Sequence, residues 1–183
     1  MYLPYPDGTA LKGVVQTGDL IFTASSSSLA KIIRRITEGK VSHVKMVMED
    51  KVFETDGKYG KALYTELPEV MKEGMVIMQS AFLTDEQRSE LPALAKKYEG
   101  IPYDYIDVAL NLILSPFSHN IRKGLITFFG TKHMMKCDEL AMRMLYEVSL
   151  RPHLKWYEGN VPQSFLNITL NDPQSFRLLY WNP

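Results

Sequence analysis

The chain contains a single cysteine, Cys137, and it stands at the head of a periodic apolar segment. Leu140, Ala141, Met144, Leu145 and Val148 recur at the spacing of one helix face, so the segment reads as a helix packed on a core. Cys137 then falls in the first turn, where unpaired backbone N–H groups and the helix dipole favour an anion. A thiolate is such an anion, and helix starts are recurrent sites of reactive cysteine. Two facts weigh on the other side. Free cysteines commonly only pack in cores, and Asp138 and Glu139 in the same turn offset part of the dipole's pull.

A nucleophilic thiol needs a base, and the candidate is His43. Val44, Met46 and Met48 alternate with His43, Lys45 and Val47, the period of a strand. After Glu49 and Asp50 the run Lys51-Val52-Phe53-Glu54-Thr55-Asp56 returns, which suggests a hairpin. With Glu49 and Asp50 as the loop, Met48 pairs with Lys51, Lys45 opposes Glu54 and His43 opposes Asp56. His43 and Glu54 are then diagonal neighbours on one face, within side-chain reach. A carboxylate there can hold one imidazole nitrogen and leave the other to act as a base. A slip of one residue would exchange the faces, and a histidine beside acids at a strand start is commonly only a surface hydrogen-bonding residue.

The elements that must position these groups follow in order. Residues 1–16 read as a leading arm with a turn at Pro6-Asp7-Gly8, followed by a strand at Gly18–Thr23. Ser27 or Ser28 caps a helix carrying Leu29, Ile32, Ile33 and Ile36, with Gly39 as its stop. Strands are expected at Ala62–Thr65 and Met75–Gln79, separated by a helical-looking Leu67–Met71. Thr84-Asp85-Glu86-Gln87 has the form of a capping box opening a helix to about Tyr98, which Pro92 would kink or break. The apolar stretch at about 106–130 reads as extra core helices or as a lid for a lipid-like substrate. Pro162–Leu166 reads as a turn, and Phe176–Tyr180 as a closing apolar segment.

The totals set limits. The chain has 183 residues, 45% of them hydrophobic, which suits a single domain spanning 1–183. Lysine plus arginine equals aspartate plus glutamate, 21 against 21, so no global field attracts nucleic acid or an anionic membrane. One cysteine allows no internal disulfide and fits a reducing compartment. The N-terminus lacks the form of a secretion signal, and no apolar run reaches the roughly 20 residues that span a bilayer. A cytoplasmic protein is expected. His133 and Cys137 stand four apart, but no Cys-x-x-Cys or His-Glu-x-x-His accompanies them, so neither a metal nor another cofactor is expected.

Three stretches then come in a particular order: Gly18-Asp19-Leu20-Ile21-Phe22, Ser42-His43-Val44 with Phe53-Glu54, and Gly100-Ile101-Pro102-Tyr103-Asp104 before Cys137-Asp138-Glu139-Leu140. This order resembles the circularly permuted branch of the NlpC-type cysteine peptidases, the YiiX/YebB-like group, over roughly residues 17–150. The resemblance implies an α+β, permuted papain-like fold in which the histidine strand precedes the cysteine helix. It lends Cys137 the role of nucleophile, His43 that of base and Glu54 that of orienting group. Asp19 and Tyr103 match positions near the family's cleft and, with Lys45, are the candidate substrate-binding residues. The chain departs from the family at Asp138, where serine is common, and at Lys45, where glycine is common.

The chemistry so implied is amide hydrolysis, of peptidoglycan-type peptides or N-acylated amines, through a thiolate and a thioester. Two rivals stand beside it. A lipid acyltransferase or acyl hydrolase of the lecithin retinol acyltransferase type shares the His-then-Cys order, and a catalytically inactive binding module would keep the same fold. The expected partner is a peptide, an acylated amine or a lipid-like molecule.

Overall fold

The computed structural model describes residues 5–24, 28–36, 38–105, 134–151 and 161–183. In chain order these form β1 (Leu20–Thr23), α1 (Ser28–Ile36), β2 (His43–Met48), β3 (Lys51–Asp56), β4 (Lys61–Glu66), β5 (Met75–Ser80), α2 (Asp85–Tyr98), α3 (Cys137–Ser149), α4 (Pro162–Asn171) and β6 (Phe176–Asn182). The architecture is mixed α+β. One six-stranded antiparallel sheet runs in the order β4-β3-β2-β1-β5-β6, with four helices among the described residues. The apolar stretch at 106–130, and His119, His133 and His153, lie outside the described residues.

Strand alternation divides the buried side chains between two faces. Leu20, Phe22, Val44, Met46 and Phe53 face one way and pack with Leu140, Ala141, Met144 and Leu145 of α3 and Phe165 and Leu166 of α4. Phe22 and Phe165 meet edge to face at 5.3 Å between ring centres, a favoured aromatic geometry. Ile21, Val47, Val52 and Ile77 face the other way and are covered by Leu11 of the N-terminal arm and Met71. No helix among the described residues is long and apolar enough to cross a membrane.

The hairpin that carries His43 has the expected register, with rungs Met46↔Phe53, Val47↔Val52 and Met48↔Lys51. Its loop turns at Glu49, whose φ of 57° lies in the left-handed region that tight hairpins use. Thr84 caps α2 with both halves of the capping box in place. Four expectations need correction. Leu67–Met71 is not helical, because its backbone is taken up by the arm: Leu11 N–H donates to Glu69 O and Met71 N–H to Thr9 O. Pro162 does not mark a turn but opens α4, at the first helical position, where its missing N–H has no partner to lose. Pro92 does not break α2 into two pieces: the helix runs through it to Tyr98. After α1, the residue in the left-handed region is Glu38 at φ 49°, with Gly39 N–H returning to Arg34 O.

Asp19, fully buried, fastens the start of β1. Its Oδ2 accepts from Gln16 N–H at 2.9 Å, and its Oδ1 accepts from Ser80 N–H at 3.1 Å and Arg88 Nη1 at 3.2 Å. Arg88 also donates to Ser80 O at 2.6 Å and to Thr17 O, so one guanidinium ties α2 to β5 and to the turn before β1. Removing one partner of such a buried pair costs about 3–5 kcal/mol because the other charge is stranded. Arg88→Met is therefore expected to destabilise the protein by about that amount in urea denaturation. The reactivity of the thiol per folded molecule should stay unchanged, as befits a joint remote from it.

Candidate active site

Cys137 is the first residue of α3, after Lys136 in extended conformation. Two backbone bridges deliver it. Pro102 bridges Lys61 at the start of β4, and Met135 bridges Tyr103, so the segments at 101–103 and 135 extend outward from β4. Met135 N–H donates to Pro102 O at 3.0 Å and Tyr103 N–H to Gly60 O at 2.9 Å. This scaffold carries Cys137 to the end of the sheet where β2 begins and β3 finishes. His43 opens β2 there, opposite Thr23 of β1.

Alternation alone would keep the two groups apart. His43 and Lys45 share the face of Val47, whereas Cys137 packs with Val44, Met46 and Phe53 on the helix face. The β2–β3 rungs end at Met46↔Phe53, however, and His43 and Glu54 lie beyond that last rung. Past it, the imidazole hydrogen-bonds Glu54 and lies close enough to the Cys137 thiol to interact with it. Nε2 meets Glu54 Oε2 at 2.5 Å, which leaves Nδ1 as the ring nitrogen for the thiol. The imidazole is 16% exposed and Cys137 3%, so the ring is the more accessible of the two.

Glu54, with a side chain only 1% exposed, is the most heavily engaged group. Besides holding His43, its Oε1 accepts from Lys45 Nζ at 2.9 Å and from the Thr65 hydroxyl. Burial penalises the carboxylate, but the His43 hydrogen bond and charge, with Lys45 and Thr65, overcome it and hold Glu54 down to about 2. Burial also opposes a charged imidazole. The neighbouring Cys137 and Glu54 outweigh it and push His43 up to about 10.

Of the candidate substrate-binding residues, only Tyr103 lies against the thiol. Burial first, then the nearby Cys137, Asp138 and Asp56, push its phenol well above the ordinary range, so it stays protonated. Its ring packs on Tyr105 at 5.0 Å between centres. Asp19 precedes β1 at Leu20, the opposite end from the Thr23↔His43 pair, and is committed to Arg88 and backbone N–H groups. Lys45 is committed to Glu54. Thr65 is placed by the sequence in a strand but not in the site; the signal was available, because a threonine in β4 opposite Val52 is diagonal to Glu54 on the same face.

The raised His43 and lowered Glu54 make stability depend on pH from both sides. The folded ring holds its proton more tightly than the unfolded one, so its contribution is full below 6.5 and lost as pH rises towards 10. Glu54 contributes fully above 4.5, and that contribution is lost as pH falls towards 2. Urea unfolding across pH should show both slopes in the wild type. His43→Gln should flatten the alkaline one, and Glu54→Gln the acid one.

No protein-family model matches the chain. Over 99 residues it is 37% identical to the uncharacterized protein YiiX of Escherichia coli (strain K12), covering 49% of this chain and 48% of that protein. The chain thus spans about half the length of the curated relative it matches. It is also similar to the crystal structure of metalloprotein YiiX from Escherichia coli O157:H7 (DUF1105), with a TM-score of 0.53 and 27% identity over 75% of this chain and 68% of that one. The word metalloprotein belongs to that structure. Here the described residues do not fit a metal ion: no three His, Cys, Asp or Glu side chains converge as ligands, and the Lys45 ammonium already occupies Glu54 Oε1. In sequence and in fold, what this chain is similar to is YiiX.

Proposed function

We propose that the protein is a cysteine hydrolase of amide bonds, built on a permuted papain-like fold, with Cys137 as nucleophile, His43 as base and Glu54 as the group that orients the ring. The observation that carries this reading is the line Cys137–His43–Glu54 at the start of a helix, with the imidazole between thiol and carboxylate. A buried thiol that merely packed would have no use for an imidazole fixed on its far side by a carboxylate.

The steps follow from the groups. The thiol proton passes to His43, and the resulting thiolate attacks the acyl carbon. Backbone N–H groups of the first turn of α3 lie beside the sulfur to receive the oxyanion. Imidazolium then gives its proton to the leaving amine, and a thioester remains on Cys137. Water, deprotonated by His43, attacks the thioester and releases the acid and the thiol. Glu54 keeps Nε2 engaged throughout, so Nδ1 carries the proton back and forth.

The thiol should be modified by iodoacetamide at pH 7 faster than a free cysteine, and His43→Gln should abolish the difference. A panel of N-acyl amides and a short fatty ester, followed by intact mass, should show an acyl adduct on Cys137. Cys137→Ala should reduce turnover by about 10³-fold or more with thermal unfolding nearly unchanged. Turnover that survives this substitution rules the reading out. Acylation by the ester alone would reassign the enzyme to lipid acyl chemistry.

A further inference from the structure

Glu54 has one carboxylate and three donors from the two strands that flank it. Oε2 faces His43 of β2, and Oε1 takes both Lys45 of β2 and Thr65 of β4. We infer that Lys45 and Thr65 are positioning residues that clamp one oxygen of Glu54 so that its other oxygen stays aimed at His43. This assignment rests on the thiol-hydrolase reading above and deepens it.

The terminal torsion of a glutamate is soft and roughly two-fold, so one hydrogen bond to His43 does not fix the carboxylate plane. Two donors on Oε1 do. Lys45 also balances charge. Thiolate and carboxylate supply two negative charges, imidazolium one positive charge, and the ammonium the second. An exposed Lys–Glu pair is worth little, but here the acid is 1% exposed and the lysine 22%. A buried carboxylate deprived of one donor is left underpaired and free to turn.

Among the described residues, the groups around the ring are few. Glu54 comes from β3, Lys45 from the ring's own strand and Cys137 from α3, while β1 sets uncharged Thr23 opposite and β4 contributes uncharged Thr65. Tyr103, Asp56 and Asp138 interact around the thiol. The sign of one measurement separates the clamp from a bystander cation. If Lys45 acts only through its charge, removing it strengthens the field of Glu54 and raises the pH at which His43 deprotonates. If Lys45 positions Glu54, removing it lets the carboxylate turn away and lowers that pH.

The test is the titration of the His43 ring by NMR in ¹⁵N-histidine-labelled protein, with the signal assigned by its loss in His43→Gln and folding checked by thermal melting. Lys45→Met should lower the midpoint by about one pH unit, and Lys45→Arg should restore it. Thr65→Val, which removes a hydroxyl and no charge, should lower it as well and serves if Lys45→Met does not fold. A midpoint that rises or stays in either folded variant overturns the clamp. If the wild-type ring titrates in its ordinary range and the thiol is inert, the hydrolase reading fails, and the clamp with it. If wild-type ring and thiol behave as expected and the variants do not, the clamp alone fails.

Discussion

A carboxylate taken out of water dominates this site. Desolvating such a group costs several kcal/mol, and the loss is offset only when charged or strong donors meet its oxygens. Glu54 meets that requirement with an imidazole, an ammonium and a hydroxyl, each able to contribute about 1–3 kcal/mol as a hydrogen bond to a charged acceptor. The consequence reaches outward. Because Glu54 is ionised and fixed, His43 is held in one orientation, and because His43 is held, the thiol of Cys137 has a defined partner.

The sheet makes this possible by where its ladders stop. In the middle of β2, rungs to both neighbours enforce alternation, and a residue on one face cannot touch a helix on the other. At the end of β2 the rung to β3 is absent, while the pairing with β1 continues through Thr23↔His43. His43 is thereby anchored on one side and released on the other. The extension through Pro102 and Met135 brings the helix start to that released side. The site is a meeting at the sheet's end, not a contact across its face.

Much of this arrangement was legible in residue order. The 2-residue alternation of β2 and β3 and the short polar loop fixed the register that brings Glu54 to His43, and the 3.6-residue stripe placed Cys137 at a helix start. What was not legible depended on long-range contacts. Leu67–Met71 has a helical pattern, but the arm at Thr9 and Leu11 claims its backbone. Asp19 is a lone acid in the sequence, and only the fold brings Arg88 of α2 onto it. Lys45 looked free to meet a substrate, although the same hairpin register already set it opposite Glu54. A cross-strand lysine and glutamate are partners before either is available to a ligand.

The acids behind Cys137 decide which force can hold a thiolate there. Asp138, fully buried, and Glu139 sit in the same first turn and oppose a negative sulfur. The dipole of a helix terminus is worth about 0.3–1 kcal/mol, and two carboxylates in that turn can cancel it. Opposite charges in contact near a protein surface interact by about 4 kcal/mol, several times more. In the proposed mechanism, the imidazolium and not the helix is therefore what offsets the charge on sulfur. Glu54 behind the ring favours an imidazolium beside Cys137, so on the proposed reading the thiol depends on a carboxylate that never touches the sulfur.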